Sequence, residues 1–418
     1  ARASKSRTDP MSQSSSNLAA LVQTPATRRL RIVHVVPSYY PAIRYGGPIR
    51  SVHALCKALV ERGHEVSVFT TNVDGPYDLD VPIGDPVDLD GVAVHYFKVP
   101  ALRRLYWAPA LAGRLRAAAG GIDLIHLHSI FLWPTYVAAR IAHRACIPYV
   151  VSPRGMLVRE AIRRKSRLTK SAWIELIEKR TLVEAARVHV TADLEAADVR
   201  ALELKLPPMF CVPNGVHWPR KHLELEAGPF ADLERPYALF LSRIDQKKGL
   251  DRLLRAWKWV KHLKLLVAGN DETGYTRELE EIVRQEGIAD RVRFVGAVND
   301  EHKWALYERA EMFVLASYTE NFGNAVAEAM AMGCPVVITP DVGIAQLVHE
   351  AGAGLVSDGE PSILAKTINA LHLNEPQRRK LGSMGRRAAV ERLSWEGVAE
   401  QMEGEYRRIL QTAEHRRP

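Results

Sequence analysis

Short apolar runs rich in β-branched residues recur along the chain, and each is followed by a loop and a helical pattern. The first run, residues 30–36, ends before a proline, and apolar residues three and four positions apart follow at 52–59. Strands alternating with amphipathic helices are typical of a parallel α/β sheet. Because the same order returns after residue 236, the pattern predicts two Rossmann-like domains whose parallel sheets face a central cleft.

The predicted strands share a length of four to seven residues. They lie at 30–36, 66–70, 123–128, 148–151, 237–241, 263–268, 292–295, 312–315 and 335–339. In open α/β sheets, ligands bind outside the carboxyl ends of the strands. The functional side chains are therefore expected directly after strands.

Local composition predicts the segments of the chain. Residues 1–27 are rich in Ser, Thr and Pro, which predicts a disordered leader, with Met11 as an alternative start. Residues 28–215 form the predicted N-terminal domain, and residues 216–236 a linker rich in Pro, Gly and charge. The predicted C-terminal domain follows at 237–392. Within the first domain, residues 72–91 are interpreted as a surface excursion.

Composition narrows the class of protein. No apolar run approaches the ~18 residues that cross a bilayer, so the expected protein is soluble or peripheral to a membrane. The four cysteines lack CxxC spacing and predict neither a disulfide framework nor a zinc site, which fits a reducing, cytoplasmic location. They are Cys56, Cys146, Cys211 and Cys334.

Charge is distributed unevenly. The whole chain carries +9, yet residues 1–220 hold 30 Lys and Arg against 18 Asp and Glu. Residues 154–180 alone hold nine basic and three acidic side chains. Such a segment, together with the aromatic and basic residues 102–115, could dock on an anionic membrane surface or simply be a solvated face. No nucleic-acid-binding signature accompanies the charge, so nucleic acid is not an expected partner.

The stretch 318–333 (YTENFGNAVAEAMAMG) joins a strand to a predicted helix that begins near Asn324. The backbone N–H groups of Phe322, Gly323 and Asn324 could bind an anion there. Glu320 and Glu328 flank this helix start and could hold sugar and ribose hydroxyls. Capping and solvation of the helix is the alternative for this pair of acids.

A basic loop, 242–249 (SRIDQKKG), follows the strand at 237–241. Arg243 and Lys248 stand near its two ends, where a guanidinium and an ammonium can neutralise a diphosphate. A solvated basic face is the alternative. The position of the loop at the same sheet edge as Glu320 favours a diphosphate clamp.

The ordered motifs resemble the retaining glycosyltransferases of the GT-B fold in the large family-four group. The resemblance extends from residue 30 to residue 410. The motifs that carry it are YGGPIRSVHALCKALVERGHEVSVFT, VPNGV, SRIDQKKGL, RVRFVGAV, ENFGNAVAEAMAMGCPVV and LSWEGVAEQMEGEYRRIL. In such enzymes the second domain binds a nucleotide sugar, and a last helix, here 393–412, returns to the N-terminal domain.

The resemblance implies roles for the donor-side residues. Arg243 and Lys248 would contact the diphosphate, Glu328 the ribose and Glu320 the transferred sugar. The turn that contains Val295 and Gly296 would pack beside the base, although a plain turn glycine is an equal alternative for Gly296. Gly46 and Gly47 resemble the glycine loop that closes over the phosphates, with an ordinary tight turn as the alternative.

The resemblance also implies roles on the acceptor side. His128 would touch the sugar in the cleft, whereas His126, on the same strand face, would be a core histidine. A metal site is not expected because no third ligand is evident. Arg154 in the SPRGM motif would orient the acceptor or a phosphate, and Thr191 is expected to cap a helix.

These residues together predict sugar transfer from a nucleoside-diphosphate sugar to a hydroxyl of a glycan or lipid-linked acceptor, in cell-surface polysaccharide or glycolipid synthesis. Retention, with the leaving phosphate deprotonating the acceptor, is expected without a metal or cofactor. The acidic triplets 78–80 and 88–90 are interpreted as surface turns instead of a manganese motif. The alternatives are a nucleotide-sugar 2-epimerase and an inactive sugar-nucleotide-binding protein.

Overall fold

The computed structural model describes residues 28–42, 47–157, 178–219, 230 and 232–415. The predictions for the leader 1–27, for Gly46 and for most of the basic segment 154–180 fall outside these residues. The same holds for residues 220–229 of the predicted linker.

The first sheet has eight strands in the order β10-β9-β8-β7-β1-β2-β6-β5. All neighbours are parallel except β5 and β6. The strands of this half of the chain are β1 (Arg31–Ser38), β2 (Glu65–Thr71), β3 (Val73–Asp74), β4 (Tyr77–Asp78), β5 (Val87–Leu89), β6 (Val92–Phe97), β7 (Leu124–His128), β8 (Tyr149–Ser152), β9 (Arg187–Val190) and β10 (Met209–Cys211). β3 and β4 form a separate hairpin.

Helices cover both faces of this sheet, which explains why its central strands are apolar on both sides. Seven of the eight residues of β1 are buried. The helices are α1 (Gly47–Glu61), α2 (Pro109–Ala118), α3 (Trp133–Arg144), α4 (Lys179–Val183) and α5 (Asp193–Arg200). One apolar core lies beneath α2 and α3, and a second lies beneath α1.

The second sheet is wholly parallel, in the order β13-β12-β11-β14-β15-β16. Its strands are β11 (Tyr237–Leu241), β12 (Lys264–Ala268), β13 (Val292–Gly296), β14 (Met312–Leu315), β15 (Val336–Ile338) and β16 (Gly354–Val356). Its helices are α6 (Leu250–Trp257), α7 (Thr276–Gln285), α8 (Asp300–Arg309), α9 (Asn324–Ala331), α10 (Ala345–Glu350), α11 (Pro361–His372) and α12 (Glu375–Arg392). The predicted pair of parallel α/β sheets is confirmed.

The last helix, α13 (Trp395–Glu414), packs on α1 of the first domain. Its apolar residues Val398, Met402 and Ile409 are buried in the core beneath α1. The carboxylate of Glu403 accepts hydrogen bonds from Arg62 (2.6 Å) and Arg407 (2.8 Å). The chain crosses between domains where the N–H of residue 216 donates to the carbonyl of residue 393, at 2.8 Å.

The interpretation of residues 72–91 as a surface excursion was incomplete. β5 within it joins the edge of the large sheet, antiparallel to β6. Strands of two or three residues are too short to show a periodic pattern, and the same reason explains the omission of β16. Among the described residues, no helix is long and apolar enough to cross a membrane.

Candidate functional site

Lys248 and Glu320 meet at the carboxyl edge of the second sheet. Lys248 ends a short turn after β11, and Glu320 lies in the loop between β14 and α9, hereafter the donor loop (residues 316–323). The ammonium of Lys248 pairs with Oε2 of Glu320, and both side chains are more than four-fifths buried. Arg243 is exposed on the same loop as Lys248 and forms no hydrogen bond or ion pair with a described residue.

Backbone hydrogen bonds join the donor loop to the segment that follows β15. The N–H of Glu320 donates to the carbonyl of Asp341 (3.0 Å), and the carbonyl of Glu320 accepts from the N–H of Gly343 (2.9 Å). A Cβ at Gly343 would lie 2.0 Å from the carbonyl oxygen of Asn321. Only glycine therefore permits this close approach.

The start of α9 offers unpaired backbone donors. Gly323 precedes the helix with φ at 100°, a conformation that favours glycine. The N–H groups of Phe322, Gly323 and Asn324 donate to no described residue, although Phe322 itself is buried. Such free N–H groups at a helix start bind anions, and Lys248 lies on the same sheet edge.

Glu328 has two partners on α8. Oε1 accepts from the ammonium of Lys303 (2.8 Å), and Oε2 accepts from the hydroxyl of Tyr307 (3.1 Å). Burial raises the pKa of Tyr307 well above its usual value, so this hydroxyl stays protonated and can only donate to a carboxylate. The two bonds fix the carboxylate in one orientation.

The end of β13, where Val295 and Gly296 lie, and the turn that follows it border an open cavity. Gly296 has φ at 71°, and no atom lies within 4 Å of the position its Cβ would occupy. Val295 contributes to the cavity wall. The lining residues are Phe230, Arg293, Phe294, Val295, Ala297, Val298, Asn299 and His302. The cavity has room for a flat ring beside this turn.

Gly47 faces Asn324 across the cleft. A Cβ at Gly47, the first residue of α1, would lie 2.6 Å from Nδ2 of Asn324. The absence of a side chain thus lets α1 approach the start of α9. Its predicted partner Gly46 lies outside the described residues.

Arg154 links His128 to the second domain. Its guanidinium lies 3.2 Å from Nδ1 of His128 and donates to Oδ1 of Asn214 (2.8 Å). Nδ2 of Asn214 in turn donates to Oδ1 of Asn324 (3.0 Å). No carboxylate of the described residues lies within 4.0 Å of this cation, and burial lowers the pKa of Arg154. The structure thus brings the predicted acceptor-side residues to the start of α9, hereafter the donor helix.

A buried chain of hydrogen bonds surrounds His126. Ser152 lies 2.6 Å from both Nε2 of His126 and Nδ1 of His189, and the hydroxyl of Tyr406 lies 2.6 Å from Nδ1 of His126. Nε2 of His189 must donate to the carbonyl of Val212 (2.9 Å). Burial lowers the pKa of His189 to about 3 and that of His126 well below its usual value.

Because both rings are neutral, each has one donor and one acceptor nitrogen. The direction of the chain follows: Tyr406 donates to His126, His126 to Ser152, and Ser152 to His189. His126 is therefore a satisfied core histidine that connects α13 to the sheet.

The expectation that His126 and His128 lack a third histidine was wrong. Ring nitrogens of His34, His126 and His128 lie within 4.8 Å of one another. Nδ1 of His34 is 2.8 Å from Nε2 of His128, and burial lowers the pKa of His34 to about 3. Both nitrogens of His126 and of His128 are engaged in hydrogen bonds, and the Arg154 cation adjoins His128. These contacts oppose the binding of a metal cation.

Thr191 is not the helix cap that was expected. Ala192 occupies the N-cap position of α5. The N–H and hydroxyl of Thr191 both donate to Oε2 of Glu195, at 2.8 and 3.0 Å. No described side chain caps this helix: Glu195, in its first turn, binds Thr191, the residue before the N-cap.

Aspartates of the two acidic triplets pair with basic side chains near the surface. Asp78 pairs with Arg103, and Asp90 pairs with His53 (2.9 Å) and Lys57 (3.2 Å). These contacts lie in the first domain. The triplets lie at the surface as expected, but Asp78 ends β4 and residues 88 and 89 belong to β5, so they are only partly turns.

Several residues of the site carried no sequence signal of their own. Asn214 and Asn321 stood inside recognised motifs without an assigned role, whereas Lys303, Tyr307 and His34 stood outside any motif. Arg252 on α6 donates to the carbonyl of Ala316 (2.6 Å) and lies over the ring of Tyr318. It therefore holds the start of the donor loop.

Family models match both halves of the chain. The model described as glycosyl transferases group 1 matches residues 224–388, and the glycosyl transferase 4-like domain matches residues 46–215.

Relatives match over nearly their whole length. An uncharacterized glycosyltransferase of Methanocaldococcus jannaschii is 26% identical over 90% of this chain and 98% of its own. A GDP-mannose:cellobiosyl-diphosphopolyprenol alpha-mannosyltransferase of Xanthomonas oryzae pv. oryzae is 26% identical over 91% and 97%. A D-inositol 3-phosphate glycosyltransferase of Xylanimonas cellulosilytica is 28% identical over 90% and 96%.

Solved structures share the fold. Sucrose-phosphate synthase from Thermosynechococcus elongatus superposes with a TM-score of 0.74 at 23% identity, over 92% of this chain and 100% of that one. An Anabaena protein in complex with UDP and glucose has a TM-score of 0.69 at 21% identity, over 90% and 99%.

Proposed function

Because this chain is a group-1 glycosyltransferase of the GT-B fold, we propose that it transfers a sugar from a nucleoside-diphosphate sugar to an acceptor hydroxyl with retention of configuration. The observation that carries the proposal is the Lys248–Glu320 pair beside the unpaired N–H groups that start α9. A cation and backbone donors suit a diphosphate, and the carboxylate suits sugar hydroxyls.

On the donor side, Lys248, the free guanidinium of Arg243 and the N–H groups of residues 322–324 bind the diphosphate. Glu328, held by Lys303 and Tyr307, accepts hydrogen bonds from the ribose diol. The base lies against the turn that contains Val295 and Gly296. These groups stabilise the charge that develops on the leaving diphosphate.

In the reaction, the bond between the anomeric carbon and the diphosphate oxygen breaks as the acceptor oxygen bonds to the same face of that carbon. The acceptor proton passes to the departing phosphate, so the products are the glycoside and the nucleoside diphosphate. No described carboxylate other than Glu320 lies in the donor loop, and Glu320 is paired with Lys248. The proposal therefore assigns deprotonation to the donor phosphate, without a metal.

On the acceptor side, Arg154 and His128 face the donor helix through Asn214. A partly buried guanidinium without a carboxylate within 4.0 Å among the described residues suits an acceptor that carries phosphate or several hydroxyls. One relative is named for a diphosphopolyprenol acceptor and another for an inositol phosphate. We therefore propose a glycan or lipid-linked acceptor in cell-surface polysaccharide or glycolipid synthesis.

A thermal-shift panel of UDP, GDP and ADP with their sugars tests the donor, since a ligand of the folded state raises the Tm. NMR of the product then reports the anomer. We expect one nucleotide family to stabilise the protein and the glycoside to retain the donor's configuration. An inverted product would exclude the mechanism, and donor conversion without an acceptor would indicate an epimerase.

Docking on the cytoplasmic face of a membrane is the second part of the proposal. Leu102 and Tyr77 are 63% and 62% exposed, and Arg103, which follows Leu102, pairs with Asp78, which follows Tyr77. Exposed apolar and aromatic groups beside basic ones can enter a lipid interface. Flotation with anionic and with zwitterionic vesicles tests this: the wild type should float only with anionic lipid, and Leu102→Asp should float less. Equal flotation with anionic and with zwitterionic vesicles would contradict docking on an anionic membrane.

A further inference from the structure

Two asparagines near the start of α9 reach across the cleft to the first domain. Nδ2 of Asn321 donates to Oγ1 of Thr191 (3.0 Å) and to Oε2 of Glu195 (3.3 Å). Three residues later, Asn324 accepts from Asn214. The two contacts flank the unpaired N–H groups of residues 322–324. The first domain thus touches the proposed phosphate site on both sides.

Gly155, Thr191 and Glu195 of the first domain form a small recess, hereafter the socket, around the side chain of Asn321. Gly155, with φ at 73°, allows the approach, because a Cβ there would lie 2.9 Å from both Cβ and Oδ1 of Asn321. The N–H of Gly155 donates to Oε1 of Glu195 at 2.7 Å. Three residues of the SPRGM motif thus have different contacts. Ser152 bonds to histidines, Arg154 to Asn214, and Gly155 to Glu195 of the socket, beside Asn321.

Glu195 depends on these donors. It is only 3% exposed, and no Lys, Arg or His of the described residues lies within 4.0 Å of its carboxylate. Two donors from Thr191, one from Gly155 and the amide of Asn321 surround it. Because no cation contacts this buried carboxylate, hydrogen bonds are its direct stabilising contacts, while Arg154 attracts it from a greater distance. Among the donors from described residues, the amide of Asn321 alone comes from the other domain.

The other side of the donor loop is held by its own domain, through the backbone bonds to residues 341–344. When the cleft is closed, the hydrogen bonds that Asn321 and Asn324 form with the first domain therefore fix the remaining side of the loop. We propose that Asn321 is a positioning residue: its bonds to Thr191 and Glu195 couple closure of the cleft to the placement of Glu320 and of the phosphate-binding N–H groups. This inference rests on the proposed function of the donor loop.

Closure of such a cleft excludes water and aligns the reacting groups. Loss of the Asn321 contact should therefore affect the reaction more than the binding of nucleotide. Lys248, Arg243 and Glu328, which are proposed to bind the nucleotide, all belong to the second domain. They stay in place when the domains separate.

The sharpest variant is Asn321→Asp, which keeps the shape of the side chain. It replaces the donating amide by a carboxylate oxygen about 3 Å from Glu195, so two like charges oppose closure. Gln346→Glu is the matched control. Nε2 of Gln346 donates to Oε1 of Glu350 at 2.9 Å on the exposed face of α10, so the control makes the same change of charge within one domain.

Small-angle scattering of the full chain and steady-state assays test the proposal. We expect Asn321→Asp to increase the radius of gyration and to lower kcat at least about tenfold, with a larger share of donor hydrolysed instead of transferred. The Kd of the nucleoside diphosphate that stabilises the wild type best should stay within about twofold. Asn321→Ala should show the same changes to a smaller degree.

Equal radii of gyration and equal kcat for Asn321→Asp and Gln346→Glu would overturn the proposal. So would a loss of nucleotide affinity as large as the loss of kcat, because Asn321 would then act inside the donor site. If the wild type transfers no sugar, the proposed function fails, but the scattering comparison still decides whether Asn321 holds the domains together.

Discussion

Lys248 and Glu320 form an ion pair although 72 residues separate them in the chain. The pairing has a topological cause: β11 and β14 are neighbours in the sheet, so the loops that follow them leave the same edge side by side. It places a cation proposed for the diphosphate in contact with a carboxylate proposed for the sugar. The two groups thus hold each other in position.

Replacing Lys248 by alanine should lower kcat by about 100-fold or more, since removal of one group that stabilises a developing oxyanion costs about that much. It also leaves Glu320 without its cation. Lys247→Ala is the control, because that side chain is exposed and adjacent. Steady-state kinetics with the preferred donor distinguish the two. A similar kcat for both variants would contradict the assignment.

Tyr307→Phe should weaken donor binding. The hydroxyl is one of two groups that orient Glu328, and a hydrogen bond to a charged group contributes about 1.5–3 kcal/mol. We expect the Kd of the nucleoside diphosphate, measured by calorimetry, to rise about tenfold.

Tyr237→Phe is the control variant for Tyr307→Phe. Its hydroxyl donates to the carbonyl of Leu306 (2.9 Å) in the same domain without touching Glu328. Both variants should lower the Tm, but only Tyr307→Phe should change the Kd. A parallel change in both would mean that Tyr307 serves stability alone.

Gly47→Ala should impair transfer, because the new methyl group would lie 2.6 Å from Nδ2 of Asn324 and displace this side chain, which accepts a hydrogen bond from Asn214 of the first domain. Gly113→Ala in α2 is the control: no atom lies within 4 Å of its Cβ position, and alanine favours a helix over glycine by about 1 kcal/mol. We expect lower kcat for the first variant and an unchanged kcat with a higher Tm for the second. Normal turnover by Gly47→Ala would contradict the close approach.

Four buried histidines make stability depend on pH. Burial lowers the pKa values of His34, His126, His128 and His189 far below the value near 6.5 of the unfolded chain. Their contribution is complete above pH 6.5 and is lost as pH falls below it, because the unfolded state then binds protons that the folded state excludes. The free energy of unfolding should decrease by about 1.4 kcal/mol per pH unit for each histidine.

Urea denaturation between pH 8 and pH 5 measures this slope. His189→Asn should reduce it by about one proton. The carboxylate of Glu403 acts in a separate window: its pKa falls to about 2, with hydrogen bonds from Arg62 and Arg407 overcoming burial. Its contribution is present above pH 4.5 and disappears toward pH 2. A flat profile from pH 7 to 5 would mean that the histidines are protonated in the folded protein.

Periodicity predicted the parallel strands well because each long strand is buried on both faces, which leaves a continuous apolar run such as that of β1. It missed strands of two to four residues, namely β3, β4, β5, β9, β10 and β16. It also missed β6, whose six residues directly follow the segment interpreted as a surface excursion, so short length does not explain every omission. The residues of the donor loop were predicted from local spacing, since the loop joins a strand directly to a helix.

Contacts between distant segments could not be predicted in this way. Lys303 reaches Glu328 because α8 packs beside α9, and His34 reaches His128 because β1 and β7 are neighbours. Asn321 shows the same limit: its partners Thr191 and Glu195 lie some 130 residues earlier, in the other domain. Only the folded arrangement shows which polar groups need a partner.

The hydrogen bond between Tyr406 and His126 has a consequence for biosynthesis. Protein synthesis proceeds from the amino end, and domains generally fold as units while the chain emerges from the ribosome. Here the polar interior beside β7 obtains a donor from Tyr406 of α13, 280 residues after His126. The first half must therefore wait, with His126 lacking this partner, until α13 has been made, whereas the core of the second half, which ends before α13, can form earlier.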